Sequence, residues 1–301
     1  MCGIVGIYAH SAPTVQEPVL TRMRDTMIHR GPDGGANWIS DDGKVGFGHR
    51  RLSIIDLSTS ATQPMCNEDG SVWVTYNGEI YNHHQLREEL RAAGHQFRTH
   101  HSDTEVLVHG YEQWGLDGLA QRIEGDYAFG LWDVKTRELH LLRDRIGVKP
   151  LYFSLERGQV LFASEIKAIL EHPSIERDID PLAMYHYLSF LTAPAPLTMF
   201  KGIFKLPAGH HATISADGRF RTTRYWEATP GHTGLREELH GLTEGAQEEM
   251  LIRGVRERLT NAVDKRMMSD VPFGVFLSGG IDSSTNVALM ARLMDRPVDT
   301  F

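Results

Sequence analysis

The sequence predicts a chain in two parts: an α+β body, then the start of an α/β unit built on a parallel sheet. Three observations carry that expectation. Residues 2 to about 165 set short segments rich in β-branched and aromatic residues between a few stretches of helical period. From about residue 247 a helical stretch leads into an apolar run, a Gly-rich turn and a second helix, the order of a strand–loop–helix unit. The length of 301 residues suits about two domains at roughly 100–200 residues each.

The elements follow in order. Gly3-Ile4-Val5-Gly6-Ile7-Tyr8 reads as a buried strand, and Val45–His49 and Val72–Tyr76 as two more. A helix follows Asn82, with Leu86, Leu90 and Ala93 on one face and Gly94 as its stop. Ser102-Asp103-Thr104-Glu105 has the spacing of a capping box and opens a helix that aligns Leu107, Tyr111 and Trp114. Tyr127–Trp132 and Glu138–Leu142 flank Asp133–Arg137 as a hairpin. Residues 196–245 read as a connector with a small hairpin, punctuated by Ala193-Pro194-Ala195-Pro196, Leu206-Pro207-Ala208-Gly209 and Pro230-Gly231-His232-Thr233-Gly234. Beyond it Ile252, Val255, Leu259 and Val263 share a helix face, Val271–Leu277 reads as a strand, and Val287, Leu289, Met290 and Leu293 mark the last helix. The expected division is 2–195, 196–245 and 246–301. A lone strand with two helices is short of a whole domain.

A net charge of −8 gives no footprint for nucleic acid or an anionic membrane. No run approaches the roughly 20 apolar residues of a membrane span. No basic-then-apolar leader opens the chain. The two cysteines, Cys2 and Cys66, read as reduced, and the expected compartment is cytoplasmic. The sixteen histidines fall largely in loops, as His83-His84, His100-His101 and His210-His211. None sits in an HExxH pattern or beside a cysteine pair, so they read as solvated or structural and no metal ligand is assigned.

Cys2 is the most informative residue. Removing Met1 would leave a thiol nucleophile and an α-amine base on one residue. A free α-amine has a pKa near about 7.7–8.0 and accepts a proton at neutral pH. The thiolate is the attacking form, and a base within reach generates it. Ser278-Gly279-Gly280-Ile281-Asp282-Ser283-Ser284 forms a second motif after the apolar run. Small residues there let backbone N–H groups approach an anion, with a helix N-terminus behind them. It is not a Walker loop, because no Gly-Lys-Ser/Thr follows.

Three polar clusters lie between these motifs: Arg50–Asp56, Tyr76–Asn82 and Ser102–Glu105. An arginine clamps a carboxylate with two parallel bonds, acidic groups hold an ammonium, and an Asn side chain beside a Gly N–H suits an oxyanion. Taken singly, each has a plain alternative: Asn77-Gly78 as a turn, Arg51 as a surface charge, Ser102 and Glu105 as a helix cap. Spacing alone does not join them into one site.

The order Met-Cys-Gly-Ile-Val-Gly, His29-Arg30-Gly31-Pro32-Asp33, Arg51–Asp56, Tyr76–Asn82, Ser102–Glu105, Arg143–Tyr152 and Ser278–Ser284 resembles the glutamine-hydrolysing asparagine synthetases. The resemblance covers essentially the whole chain. It implies a class II glutamine amidotransferase domain of the four-layer αββα N-terminal-nucleophile hydrolase fold, then the start of an ATP-pyrophosphatase domain. It implies Cys2 as nucleophile, Asn77 and Gly78 as oxyanion hole, and glutamine held by Arg51, the Leu52–Ile55 segment (Leu52, Ser53, Ile54, Ile55), Glu79 and Asp103. Leu277, Ser278, Gly279, Gly280, Asp282, Ser283 and Ser284 would bind ATP, which the family uses with Mg2+ to activate aspartate as β-aspartyl-AMP. Ammonia would reach it through a tunnel, and a homodimer is a family expectation.

Two departures stand out. The approach Phe97–Ser102 is one residue longer than usual, and the expected outcome is absorption in the turn before Asp103. The chain also ends just past the pyrophosphate loop, so it is expected to be C-terminally incomplete and competent for glutamine hydrolysis at best. Two alternatives stay open: an ATP-dependent amidotransferase with another carboxylate acceptor, and a non-catalytic glutamine-binding module. Glutamine phosphoribosyl amidotransferase and glucosamine-phosphate synthase share the Cys-Gly-Ile-Val-Gly start, but neither accounts for Ser278–Ser284.

Overall fold

In the computed structural model of the chain, which describes residues 1–228, 234 and 238–301, the N-terminal apolar run forms strand β1 (Gly3–Tyr8), buried along its whole length. It pairs antiparallel with β3 (Val45–Arg51) and β9 (Gln159–Ala163). With β2 (Gly34–Ile39), β8 (Tyr152–Glu156) and β10 (Ile203–Lys205) they make a six-stranded sheet ordered β10-β8-β9-β1-β3-β2. The second six-stranded sheet contains β4 (Met65–Cys66), β5 (Val72–Ile80), β6 (Gly125–Asp133), β7 (Glu138–Arg143), β11 (His210–Ile214) and β12 (Phe220–Arg224). Its order is β12-β11-β7-β6-β5-β4. The strand pairs within both sheets are antiparallel.

Alternation along the strands makes the layers. Ile4 and Tyr8 of β1 face the second sheet in a cluster with Phe47, Trp132, Leu141 and Phe162. Val5 and Ile7 face outward onto α1 (Glu17–Asp25) through Leu20 and Met23, and onto α4 (Ile166–Leu170) through Ala168 and Ile169. Val72, Val74, Tyr76 and Ile80 of β5 turn the other way, onto α2 (His83–Ala92) and α3 (Glu105–Arg122). The result is the helix–sheet–sheet–helix stack. Phe162 links its two middle layers. A Cβ on Gly6 of one sheet would lie 2.1 Å from a carbon of that ring, and one on Gly130 of the other 2.3 Å away. Two glycines therefore make the seat for one aromatic ring.

Several expectations need correction. The Ser102–Glu105 capping box does not form, and no side chain caps α3. The Glu105 carboxylate instead accepts the backbone N–H groups of Arg98 and Thr99, at 2.6 and 2.8 Å. Residues 203–224 are not a free connector, because β10 pairs with β8 and β11 with β7. The β11–β12 hairpin forms, but it extends the second sheet, and the first compact unit runs to Glu227. Turn residues mark the ends of these strands but say nothing of ladder partners tens of residues upstream. The turn-rich stretch 230–234 lies, apart from Gly234, outside the described residues. A helix not foreseen, α5 (Pro181–Phe190), is capped by Asp180, whose side chain accepts from the N–H groups of Leu182 and Ala183.

The second unit, Ala228–Phe301, holds α6 (Glu244–Arg266) and α7 (Ile281–Leu293). The expected strand at Val271–Leu277 is reduced to a single parallel bridge between Val275 and Thr300, with bonds from Val275 to Asp299 and from Leu277 to Phe301. The direction is that of a parallel sheet. One bridge with no further neighbour is too little ladder to count as a strand. Ile252, Val255 and Leu259 share a face of α6, as expected, but are exposed.

Three buried histidines set an acid limit on the first unit. Burial pushes His49 down to about 3, and His83 and His140 down to about 4. Each is neutral when folded, whereas the unfolded chain takes up a proton near pH 6.5, so the unfolded state binds more protons below that pH. Stability should fall as pH drops from 6.5 towards 4, by up to about 1.4 kcal/mol per pH unit for each histidine. Urea unfolding at pH 7, 6 and 5 checks this, and a flat or rising profile would contradict it.

Candidate active site

One cleft collects residues from six places in the sequence: Cys2 before β1, Arg51 at the end of β3 with Leu52, Ile54 and Ile55 after it, Ala61 and Gln63 ahead of β4, Tyr76–Glu79 on β5, Ser102–Thr104 before α3, and Lys149. The β1–β3 register, with Gly3 opposite Arg50, carries Cys2 alongside Leu52. The Leu52 N–H points at Cys2 Sγ across 3.5 Å, and the thiol lies 3.6 Å from the Leu52 carbonyl. Arg30 Nε donates to the Cys2 carbonyl at 2.8 Å, and its guanidinium also reaches Glu165 at 3.1 Å. That anchor keeps the start of the chain from fraying. Burial pushes the Cys2 thiol up, with the Leu52 N–H working against it. Met1 is present, and burial pulls its α-amine below the usual value.

Thr75, Asn77 and Glu79 alternate onto the face of β5 turned to the first sheet, where the Thr75 hydroxyl donates to the Gly48 carbonyl of β3. Asn77 is 1% exposed, and its Nδ2 is a buried donor without a partner. An unsatisfied buried amide donor costs stability, and a substrate oxyanion would satisfy it. Gly78 sits opposite Tyr127, where a Cβ would lie 2.3 Å from the Asp126 carbonyl, so no side chain fits there.

Two carboxyl groups border the same cleft. Burial pushes Glu79 up, the Lys149 ammonium pulls it back, and Asp103 adds to the rise. Asp103 is also raised by burial, although Tyr76 Oη and the Ile80 N–H donate to its Oδ2 at 2.7 and 3.0 Å. A cation between the two would relieve both. Asp103 lines the cleft despite the longer approach to it. Arg51 donates to the carbonyls of Asp56 and Ser58, which pins its guanidinium to the loop that turns at Asp56, φ 50°.

Ser53 stands apart from the other candidates. Its N–H donates to Asp33 Oδ2 at 2.8 Å, and it lines a neighbouring depression with Asp33, Gly34 and His49. Sequence reasoning missed Gln63, whose side chain accepts from the Tyr76 N–H at 2.7 Å and donates to Thr104 Oγ1 at 3.2 Å. It also assigned no task to Lys149, Tyr76, Arg30 or Asp33, although all four lay inside quoted motifs.

In the second unit, Ser278–Gly280 forms a tight turn and Ile281–Ser284 the first turn of α7. Gly279 has φ +80°, Ser278 Oγ lies 3.0 Å from Ser283 Oγ, and the Ser284 N–H donates to the Gly280 carbonyl at 3.0 Å. Its donors are hydroxyls and backbone N–H groups, exposed at a helix N-terminus, a set suited to phosphate oxygens. Asp282, in the first turn of α7, is the one carboxylate of the Ser278–Ser284 motif.

The family model described as "Glutamine amidotransferase domain" matches residues 1–226, and that described as "Asparagine synthase" matches 254–301. Asparagine synthetase [glutamine-hydrolyzing] 3 of Bacillus subtilis (strain 168) is 40% identical over 296 residues, covering 97% of this chain and 45% of that protein. Amidase chry2 of Gibberella zeae is 34% identical, covering 98% of this chain and 43% of its own length. The chain thus spans about half the length of the curated relatives it matches. Among solved structures, glutamine phosphoribosylpyrophosphate amidotransferase from B. subtilis shares the fold, with a TM-score of 0.54 at 21% identity over 76% of this chain and 50% of that one.

Proposed function

The chain belongs to the glutamine amidotransferase domain family, and from that premise we propose that it hydrolyses glutamine at Cys2 and is the glutaminase part of an asparagine synthetase. The observation that carries the reading is the orphaned Asn77 Nδ2, aimed into the cleft that also holds Cys2, Arg51, Glu79 and Asp103. Arg51 takes the substrate α-carboxylate, with Leu52, Ile54 and Ile55 beside it. Glu79 and Asp103 take the α-ammonium. With Met1 removed, the Cys2 amine accepts the thiol proton and sulfur attacks the side-chain amide carbon. The oxyanion rests on Asn77 Nδ2 and the Gly78 N–H. The Cys2 amine passes that proton to the amide nitrogen as the C–N bond breaks, ammonia leaves, and water adds to the thioester carbonyl to release glutamate and restore the thiol.

The loop Leu277–Ser284 supports ATP binding by the whole protein, with Asp282 the residue suited to a phosphate-bound Mg2+. Bound ATP would activate the acceptor carboxylate by adenylation. Relatives named asparagine synthetase support aspartate as that acceptor. Amidase chry2 keeps a different acceptor as the second reading. Two free cysteines suit a cytoplasmic enzyme, and among the described residues no helix is long and apolar enough to cross a membrane.

Ammonia and glutamate release by the processed chain tests the reading, and no turnover by folded protein would remove it. Asn77→Ala should lower kcat/KM for glutamine by about 10²–10³, the usual loss for one oxyanion donor. Wild-type kinetics in that variant would take Asn77 out of the site.

A further inference from the structure

On the helical side of the second sheet, four side chains from three places turn a donor atom toward one point. Glu68 stands in the turn between β4 and β5, His95 just past α2, and His109 and Glu112 three residues apart on α3. Their donor atoms all lie within 4.8 Å of one another. His109 is fully buried, yet neither of its ring nitrogens has a hydrogen-bond partner. Its Nδ1 is 3.5 Å from Glu68 Oε2 and 3.6 Å from Glu112 Oε2, and His95 Nδ1 is 3.9 Å from the same Glu112 oxygen. These gaps are long for hydrogen bonds. They are close to the edge of a ligand tetrahedron around a zinc-sized ion, about 3.4 Å for bonds of about 2.1 Å.

The other polar atom of Glu68, Glu112 and His95 is turned outward onto a support. Glu68 Oε1 accepts the Gln96 N–H at 2.9 Å. Glu112 Oε1 accepts from Asn67 Nδ2 at 2.7 Å. His95 Nε2 lies 3.2 Å from Gln113 Oε1, so Nε2 carries the proton and Nδ1 presents its lone pair. Glu105 Oε1 lies 3.6 Å from His109 Nε2 and favours the same tautomer there. Outer partners that fix tautomer and orientation accompany metal-binding histidines and carboxylates. Phe97 closes the site edge-on against His109, with ring centroids 4.6 Å apart.

We propose that Glu68, His95, His109 and Glu112 bind one divalent transition ion of the zinc class. Two imidazoles and two carboxylates suit such an ion, whereas magnesium and calcium prefer oxygen alone. Four protein ligands close the tetrahedron, so the role is structural. The ion would staple the β4–β5 turn to α2 and α3. It would also steady Glu105, the acceptor for Arg98 and Thr99 in the approach to Asp103.

The test uses the full chain, stripped with chelator and titrated with Zn2+ and, separately, Co2+. The expected result is one equivalent bound, a chelator-reversible rise in Tm, and a Co2+ visible spectrum of tetrahedral intensity without a thiolate charge-transfer band. Glu68→Gln and Glu112→Gln, both at the partly exposed rim, should each weaken binding about 10-fold or more. Cys2→Ala and Cys66→Ser should bind as the wild type does. Absence of stoichiometric binding, a pale octahedral Co2+ spectrum, or unchanged affinity in both glutamine variants would overturn the proposal. Because wild-type stoichiometry and the Co2+ spectrum are read independently, a variant that misfolds leaves the outcome decidable.

Discussion

Cys2→Ala should reduce glutamine turnover by about 10³-fold or more while glutamine still binds. The variant removes the sulfur assigned to attack the amide carbon. The groups assigned to substrate binding are held by contacts of their own. Arg51 is pinned by the Asp56 and Ser58 carbonyls, and Asp103 by Tyr76 and the Ile80 N–H. Neither set passes through the sulfur. Substituting the small, partly buried Cys2 side chain therefore leaves the rest of the cleft in place. Ammonia release and calorimetric glutamine binding read the two effects apart. Wild-type turnover in the variant would remove Cys2 as nucleophile. Loss of binding together with turnover would show that the thiol also holds the cleft open. The same chemistry predicts that a chain retaining Met1 hydrolyses glutamine poorly, because its free amine then sits one residue away from the thiol.

Phe162→Ala should destabilise the first unit by about 3–5 kcal/mol, the usual cost of emptying an aromatic site in a core. The ring is fully buried and fills the space above Gly6 and Gly130 at once, so its loss opens a cavity that neither glycine can fill. The reciprocal change is also unfavourable, since Gly130→Ala would set a methyl 2.3 Å from the ring. Combined, the two should partly compensate, with the double variant more stable than the sum of the singles implies. Denaturant midpoints of the four proteins measure that coupling. Strict additivity would mean that the ring and Gly130 do not share space.

Two strands of the first sheet, three of the second (β5, β6 and β7) and the helix after Asn82 are legible in local pattern. Gly3–Tyr8 and Val45–His49 read as strands because their residues suit a pleated, buried surface. The α3 start is where the sequence placed it, but the capping box is not formed, because the fold turns the Glu105 carboxylate to the Arg98 and Thr99 N–H groups instead. The expected strand at Val271–Leu277 failed for a different reason. Its apolar run asks for ladder partners, and local composition cannot supply them. Glu68, His95, His109 and Glu112 escaped notice because two of the four lie outside any one helix, and no linear spacing joins them.

By itself the sequence determined the chemistry available: a thiol at position 2, an Asn-Gly pair, an arginine, two acidic groups and a Gly-Ser loop before a helix. Motif order was enough to point to the family. Only the tertiary structure decided which of these meet. Antiparallel pairing of β1 with β3 brings Cys2 to Leu52 across 50 residues, and the alternation of β5 turns Asn77 and Glu79 toward it while Tyr76 reaches back to Asp103. Ser53, inside the same motif, is turned to Asp33 instead. Strand periodicity is a local property, but register and sheet packing are not. The cleft exists because two sheets stack, with the Asn77 amide left unpaired in it.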